Sequence, residues 1–218
     1  MTSTVTRGVV FDLDGTLVDS YDAITRSLNH ALRSLGEEPL AAARVRQMVG
    51  RGIEVLVERA LGGPERVAEA VRLFREEYAQ VAVEMTEALP DVQPTLATLS
   101  DRGYRMGVAS NKPARFCRII LEHLGMLPFM TDVLGPDVVE NAKPHPEMVH
   151  RLLTRFELDA REVVYVGDMG VDAETCRNAG VVCWLIPTGS CSAAELQDAG
   201  GDRLLERFTD LLDLLPPL

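Results

Sequence analysis

The chain has 218 residues, with 33 acidic against 22 basic side chains and a formal net charge of -11. That balance opposes a general nucleic-acid surface, which needs clustered Lys and Arg, yet a small anionic substrate can still be held by a local positive site. Hydrophobic content of 46% is ordinary for a globular protein, and no apolar run approaches the ~20 residues of a membrane span. Residues Met1 to Arg7 contain no apolar stretch of the secretory kind, so a cytoplasmic location is expected. Cys117, Cys176, Cys183 and Cys191 form no CxxC and no zinc spacing, and are expected to be reduced thiols acting as small hydrophobes.

In chain order, the first element is the apolar run Val9-Val10-Phe11, read as a buried parallel strand. It ends in Asp12-Leu13-Asp14-Gly15-Thr16-Leu17-Val18-Asp19-Ser20. On a strand, residues two apart share a face, so Asp12 and Asp14 are expected on one side. Two such carboxylates repel unless a cation or a proton separates them. They therefore point to a divalent metal site or to an acid paired with a nucleophile.

A long helical region follows. Residues 20–35 carry Ala23, Ile24, Leu28, Ala31, Leu32 and Leu35 at helix spacing, and Gly36 is a stop. Helices are predicted over 41–49 and 52–62, parted by Val49-Gly50-Arg51-Gly52, and over 65–86 with Pro64 in the first turn. These four helices form a small bundle without an intervening strand.

From Leu89 the pattern alternates. Helices are predicted at 92–102, 114–124, 147–156, 171–179, 192–199 and 207–215, and strands at 104–109, 132–135, 163–166 and 181–185. Alternation implies an α/β, Rossmann-like parallel sheet with right-handed crossovers, whose ligands bind at the carboxyl ends of the strands. The helical region is read as an inserted domain over 19–88, which leaves 1–18 and 89–218 as one discontinuous core. Asp12/Asp14, Ser110, Lys143 and Asp168/Asp172 then converge on one rim. Taken singly, each has a plainer reading. Ser110 with Asn111 suits a helix N-cap, Lys143 a solvated loop charge, Asp168 and Asp172 a helix start, and Asp19 and Ser20 a capping pair.

Together, Asp12-Leu13-Asp14-Gly15-Thr16, Ser110-Asn111-Lys112-Pro113, Lys143-Pro144-His145-Pro146-Glu147 and Gly167-Asp168-Met169-Gly170-Val171-Asp172 resemble the haloacid dehalogenase superfamily. The helical insert is similar to that of the subgroup with a helical cap that includes phosphoglycolate phosphatase. The resemblance covers most of the chain.

It implies a Mg²⁺-dependent phosphomonoester hydrolase working on a small phosphorylated metabolite through an aspartyl-phosphate, as a monomer or homodimer without nucleic acid or membrane. Asp12 is then the nucleophile and Asp14 the acid and base. The Asp12 carboxylate, the Asp14 main-chain oxygen and Asp168 hold Mg²⁺, and Asp172 stands behind them or holds Lys143. Ser110 and Lys143 grip the phosphoryl oxygens, with Lys143 offsetting transition-state charge. Gly15, Thr16 and Asn111 share the substrate site, and Arg51, flanked by glycines, is the candidate cap-side donor for a substrate carboxylate. A dehalogenase is disfavoured by Asp14. A sugar phosphomutase, a pyrophosphatase and a nucleotidase share the catalytic set. A receiver-type phosphoacceptor module is disfavoured by the insert and the late Gly-Asp-x-x-x-Asp. Met169, where relatives often carry Ser or Thr, and Asp91, where they usually carry Gly, depart from the pattern.

Overall fold

The computed structural model describes residues 5–218; the start of the expected core segment 1–18 lies outside the described residues. Strand β1 (Gly8–Phe11) is fully buried and central. It pairs in parallel with β4 (Arg105–Ala109) on one side and β6 (Val163–Gly167) on the other. The sheet continues outward to β5 (Asp132–Leu134), β7 (Val182–Leu185) and β8 (Arg203–Leu204), in the order β5-β4-β1-β6-β7-β8. Every pairing is parallel. Such a sheet needs cover on both faces, and the strand residues alternate accordingly. Val9, Phe11, Met106, Val108, Val164 and Val166 belong to one apolar cluster. Val10, Ala109, Tyr165 and Cys183 belong to the other.

The first cluster is closed by α5 (Val92–Asp101), α6 (Ala114–His123) and α10 (Asp210–Leu214). The second is closed by α7 (Glu147–Phe156), α8 (Gly170–Ala179) and α9 (Ala193–Ala199). Cys117, Cys176 and Cys183 are free and buried among these apolar neighbours.

Between β1 and α5 the chain leaves and returns through a short antiparallel pair. Strand β2 (Val18–Asp19) faces β3 (Glu87–Ala88), with Val18 opposite Ala88 and Asp19 opposite Glu87. All four helices of the insert lie between these strands: α1 (Tyr21–Ser34), α2 (Ala42–Arg46), α3 (Ile53–Leu61) and α4 (Val67–Val81). Their buried faces, including Leu28, Leu32, Val57, Phe74 and Tyr78, join the first apolar cluster without a break.

Several boundaries differ from the pattern for local reasons. Helix α4 starts at Val67, two residues later than predicted, because Pro64 belongs to a turn and Arg66 takes φ 64°. Asp91 has φ 62°, a left-handed conformation that glycine adopts without cost. That accounts for the glycine usual at its position. The two-residue strands β2, β3 and β8 are too short to carry a period.

Candidate functional site

The chain does not run straight through the first motif. Past Phe11 it winds around one oxygen: the Leu13 carbonyl accepts from the backbone N–H groups of Thr16, Leu17 and Val18 at 3.2, 2.9 and 3.1 Å. Gly15 permits this turn with φ +88°. Asp12 and Asp14 therefore do not stand side by side on a strand face, each alone with the other. Each meets its own buried lysine. Lys143 Nζ lies 2.9 Å from Asp12 Oδ1, and Lys112 Nζ donates to Asp14 Oδ1 at 2.5 Å. The separating cation that the carboxylate pair called for is, within the protein itself, a pair of lysines.

Around Lys143 the groups interlock. Its ammonium donates to Asp172 Oδ1 at 2.8 Å and to the Tyr165 hydroxyl at 2.9 Å. Tyr165 in turn donates to the Ala109 carbonyl at the end of β4. The other Asp172 oxygen accepts from the backbone N–H of Asp168 and Met169 at 3.2 and 3.0 Å. Both Asp172 oxygens are thus committed, which suits it to hold Lys143 and the start of α8. Burial pulls the Lys143 ammonium down, but Asp12 and Asp172 beside it push it up further, and the net shift is upward. Lys143 is no solvated loop charge; its side chain is 1% exposed.

Asn111 fixes the loop that carries Lys143. Its amide nitrogen donates to the Lys143 carbonyl at 3.1 Å and to the Gly50 carbonyl at 3.0 Å, and its oxygen accepts from the Lys143 N–H at 2.9 Å. Asn111 also lines the cavity beside Ser110, where a substrate contact was expected. The Asn111 amide is spent on main-chain groups and ties the insert, the Lys143 loop and the end of β4 together.

The expected substrate contact of Thr16 is corrected: its hydroxyl donates to Asp168 Oδ1 at 2.8 Å. The second oxygen, Asp168 Oδ2, is buried with no hydrogen-bond partner. A Cβ on Gly189 would stand 1.6 Å from it, and one on Gly15 would stand 2.4 Å from it. Gly15 and Gly189 leave room for this carboxylate, Gly15 being a wall rather than a substrate donor. Asp12 Oδ1 also lacks an aligned hydrogen-bond donor, since its approach to Lys143 is one of charge.

Asp12, Asp168 and Asp172 offer oxygens within 4.8 Å of one another. Burial first, then the charges of Asp12 and Asp172, push the Asp168 carboxyl well up. Asp168 Oδ2, a buried carboxylate oxygen without a partner in a pocket walled by glycine, fits a hard divalent cation such as Mg²⁺ together with the nearby Asp12 carboxylate. Asp172, with its oxygens already taken, fits it less well than the other two.

Ser110 is buried at the end of β4, and its N–H donates to the Leu134 carbonyl. It does not cap a helix, because α6 begins only at Ala114. Ser20 caps nothing either. Its hydroxyl donates to Asp14 Oδ1 at 2.5 Å, and the backbone N–H of Tyr21 bonds Asp19 instead.

A cavity, open at its mouth, begins at Asp12, Asp14, Ser110 and Met169 and runs beneath the insert. Its walls are apolar: Ile24, Val49, Ile53, Leu56, Phe74 and Phe116. Among the described residues, Lys112 is the one cation lining it. Arg51 is a further correction. It is exposed and forms no part of the wall, because the loop turns its neighbours Gly50 (φ +121°) and Gly52 (φ +91°) toward the cavity. The insert touches the rim elsewhere, through Gly50, through Tyr78, and through Arg46, whose guanidinium donates to the carbonyls of Thr188 and Gly189.

A family model described as haloacid dehalogenase-like hydrolase matches residues 9–186. The chain belongs to the haloacid dehalogenase-like hydrolases. That membership removes the receiver-type reading. Among curated relatives, a phosphoglycolate phosphatase of Yersinia pseudotuberculosis is 37% identical over 94% of this chain and 91% of its own length. One from Vibrio cholerae is 32% identical over 95% and 96%. The crystal structure of a predicted phosphoglycolate phosphatase from Haemophilus somnus 129PT superposes with a TM-score of 0.91, covering 97% of this chain and 98% of that one at 26% identity. Among the described residues no helix is long and apolar enough to cross a membrane.

Lys112, Tyr165 and Gly189 are the site residues that sequence reasoning did not single out. Lys112 had a signal, since it lies in the run Ser110-Asn111-Lys112-Pro113 after β4. Gly189 had a weaker one, a glycine in the loop after a strand end. Tyr165 had none, because a tyrosine in an apolar strand reads as core.

Proposed function

We propose that this haloacid dehalogenase-like hydrolase is a Mg²⁺-dependent phosphomonoesterase acting through an aspartyl-phosphate on Asp12, with phosphoglycolate as its substrate. The observation that carries the reading is Asp12 itself: a buried carboxylate at the end of the central strand, flanked by Lys143 and by a second carboxylate, Asp168, with an oxygen left free. The substrate follows the names of the curated relatives.

Mg²⁺ held by the Asp12 carboxylate, the Asp14 main-chain oxygen and Asp168 would draw negative charge off the phosphoryl oxygens and hold them in place. The remaining steps belong to the chain's own residues. The free carboxylate oxygen of Asp12 attacks phosphorus, the bond to the leaving oxygen breaks, and that oxygen takes a proton from Asp14. Asp14 then removes a proton from the water that hydrolyses the acyl phosphate. Lys143, fixed by Asp172 and Tyr165, lies against the charge that builds on the phosphoryl group, and Ser110 holds one of its oxygens. Residues 19–88 act as a cap on a core made of 1–18 and 89–218, and shut bulk water out of the cavity. The reading extends to a cytoplasmic monomer or homodimer acting on a diffusible ester.

Phosphate release from a panel of phosphate monoesters, with Mg²⁺ and with EDTA, tests this. Expected is sustained Mg²⁺-dependent turnover with phosphoglycolate among the best substrates. Equal rates with and without metal, or no turnover of any ester, would overturn it.

A further inference from the structure

The loop after β7 is braced from two directions. From the core, the Thr188 hydroxyl donates to the Gly15 carbonyl at 2.6 Å. From the insert, one guanidinium nitrogen of Arg46, the last residue of α2, donates to the carbonyls of Thr188 and Gly189, each at 3.2 Å. Among the described residues no backbone N–H bonds either carbonyl. Arg46 is itself held in place. Its guanidinium carbon lies 4.1 Å from the centre of the Tyr21 ring, and Asp19 Oδ2 stands 3.8 Å from its other terminal nitrogen. Tyr21 is 4% exposed and donates its backbone N–H to Asp19, so the chain entering the insert forms the seat of the arginine. A planar, weakly hydrated guanidinium suits that seat, since it stacks on the ring and still reaches the carbonyls with its edge.

What Arg46 holds is the wall of the metal site. Asp168 Oδ2 is buried without a partner between Gly15 and Gly189, and Gly189 comes so near that even a Cβ there would overlap it. The place of the Gly189 backbone therefore sets the room left at that oxygen. We propose that Arg46 is a positioning residue for the divalent cation: by fixing the 188–189 loop from the insert, it makes Mg²⁺ affinity depend on the insert being seated on the core. Coupling of this kind is reciprocal. The factor that the seated insert adds to Mg²⁺ binding is the factor that bound Mg²⁺ adds to the seating, so the cation draws the insert over the cavity before any ester is hydrolysed. The inference rests on the metal in the phosphatase reading and goes beyond it to how the insert is held.

The experiment measures the Mg²⁺ dissociation constant by titration calorimetry for wild type, Arg46→Met and Arg46→Lys, and the hydrogen exchange of peptides covering residues 41–48 with and without Mg²⁺. Removing a group that supports a metal ligand from behind weakens binding about tenfold to hundredfold, and that loss is expected for Arg46→Met. Arg46→Lys, whose ammonium can still donate to both carbonyls, should bind closer to wild type. In wild type Mg²⁺ should slow exchange over 41–48 more than in α5; in Arg46→Met it should not. An arginine that serves only the fold would lower the melting temperature of the metal-free variant and leave its Mg²⁺ affinity and its Mg²⁺-dependent exchange as in wild type, which would overturn the proposal. Should Arg46→Met not fold, wild-type exchange decides: selective slowing over 41–48 supports the coupling, and unchanged exchange there overturns it. Phosphate release is followed on the same samples. Mg²⁺-dependent turnover by wild type with an unchanged affinity in Arg46→Met overturns this proposal alone; wild type that neither binds Mg²⁺ nor hydrolyses an ester overturns the phosphatase reading with it.

Discussion

Gly189→Ala puts the smallest side chain against the metal-binding end of the site. The new Cβ would stand 1.6 Å from Asp168 Oδ2, where real contacts need 3.0 Å, so the carboxylate or the loop must give by about 1.4 Å. Gly189 is not in the left-handed region, so the change adds no backbone strain of its own. A ligand displaced this far is expected to lose about tenfold to hundredfold in metal affinity, the range seen when a ligand's support is removed.

Mg²⁺ at one hundred times the wild-type Kd stabilises the fold by about 2.7 kcal/mol, and for a chain of this size that raises Tm by about 5–10 °C. The variant at the same concentration should keep about 0.4–1.4 kcal/mol, or about 1–6 °C. Thermal unfolding with and without Mg²⁺ reads the difference directly, and the Mg²⁺ concentration for half-maximal turnover should rise by the same tenfold to hundredfold. Gly170→Ala is the control, since its Cβ would meet only Ala199 at an ordinary 3.7 Å. A Gly189→Ala protein with wild-type metal dependence in both assays would refute the cradle argument.

Other predictions follow from the same network. Lys143→Met leaves Asp12 and Asp172 facing each other without their cation; it should cost roughly 3–5 kcal/mol in urea unfolding and abolish turnover, the penalty for stranding buried charge. Asp14→Asn should slow turnover while still allowing a phosphoenzyme to form from an ester with a good leaving group, read by acid-quench trapping. Glu147 accepts from the backbone of Glu140 and Asn141 and pairs with Arg151, which lowers its carboxyl from 4.5 to about 2 and braces the Lys143 loop. A lowered carboxyl stabilises the fold fully above its unfolded value and loses that contribution as pH falls through the folded one. The urea midpoints of wild type and Glu147→Gln should therefore differ by a constant amount above about pH 5 and converge toward pH 2; a gap that widens with acid would contradict this.

The sheet was legible because its strands are short apolar runs with helical periods between them, and β1, β4 and β6 sit where those runs stand. The convergence of Asp12, Ser110, Lys143 and Asp168 on one rim follows from that order alone. What the sequence concealed is the division of labour among hydrogen bonds. Nothing in a one-dimensional pattern distinguishes a Thr16 that touches substrate from one that turns a carboxylate, or an Asn111 that binds from one that ties loops together. Arg51 was misread because flanking glycines signal a bend but not which side of it faces inward. Lys112 was passed over because a lysine one residue before a proline reads as a surface charge, and only the fold brings Asp14, Ser20 and Tyr78 around it. For Thr16, Asn111 and Lys112 the partner lies many residues away in the chain.

The central claim is that Asp12 is phosphorylated during turnover. Enzyme quenched in acid during steady-state hydrolysis, reduced with borohydride, digested and analysed by mass spectrometry locates any acyl phosphate as a homoserine at the attacked aspartate. Homoserine is expected at position 12, dependent on Mg²⁺ and on substrate, and absent from Asp12→Asn protein. Homoserine at position 14 or 168 instead, or steady turnover with an unmodified Asp12 under conditions that trap other acyl phosphates, would contradict it.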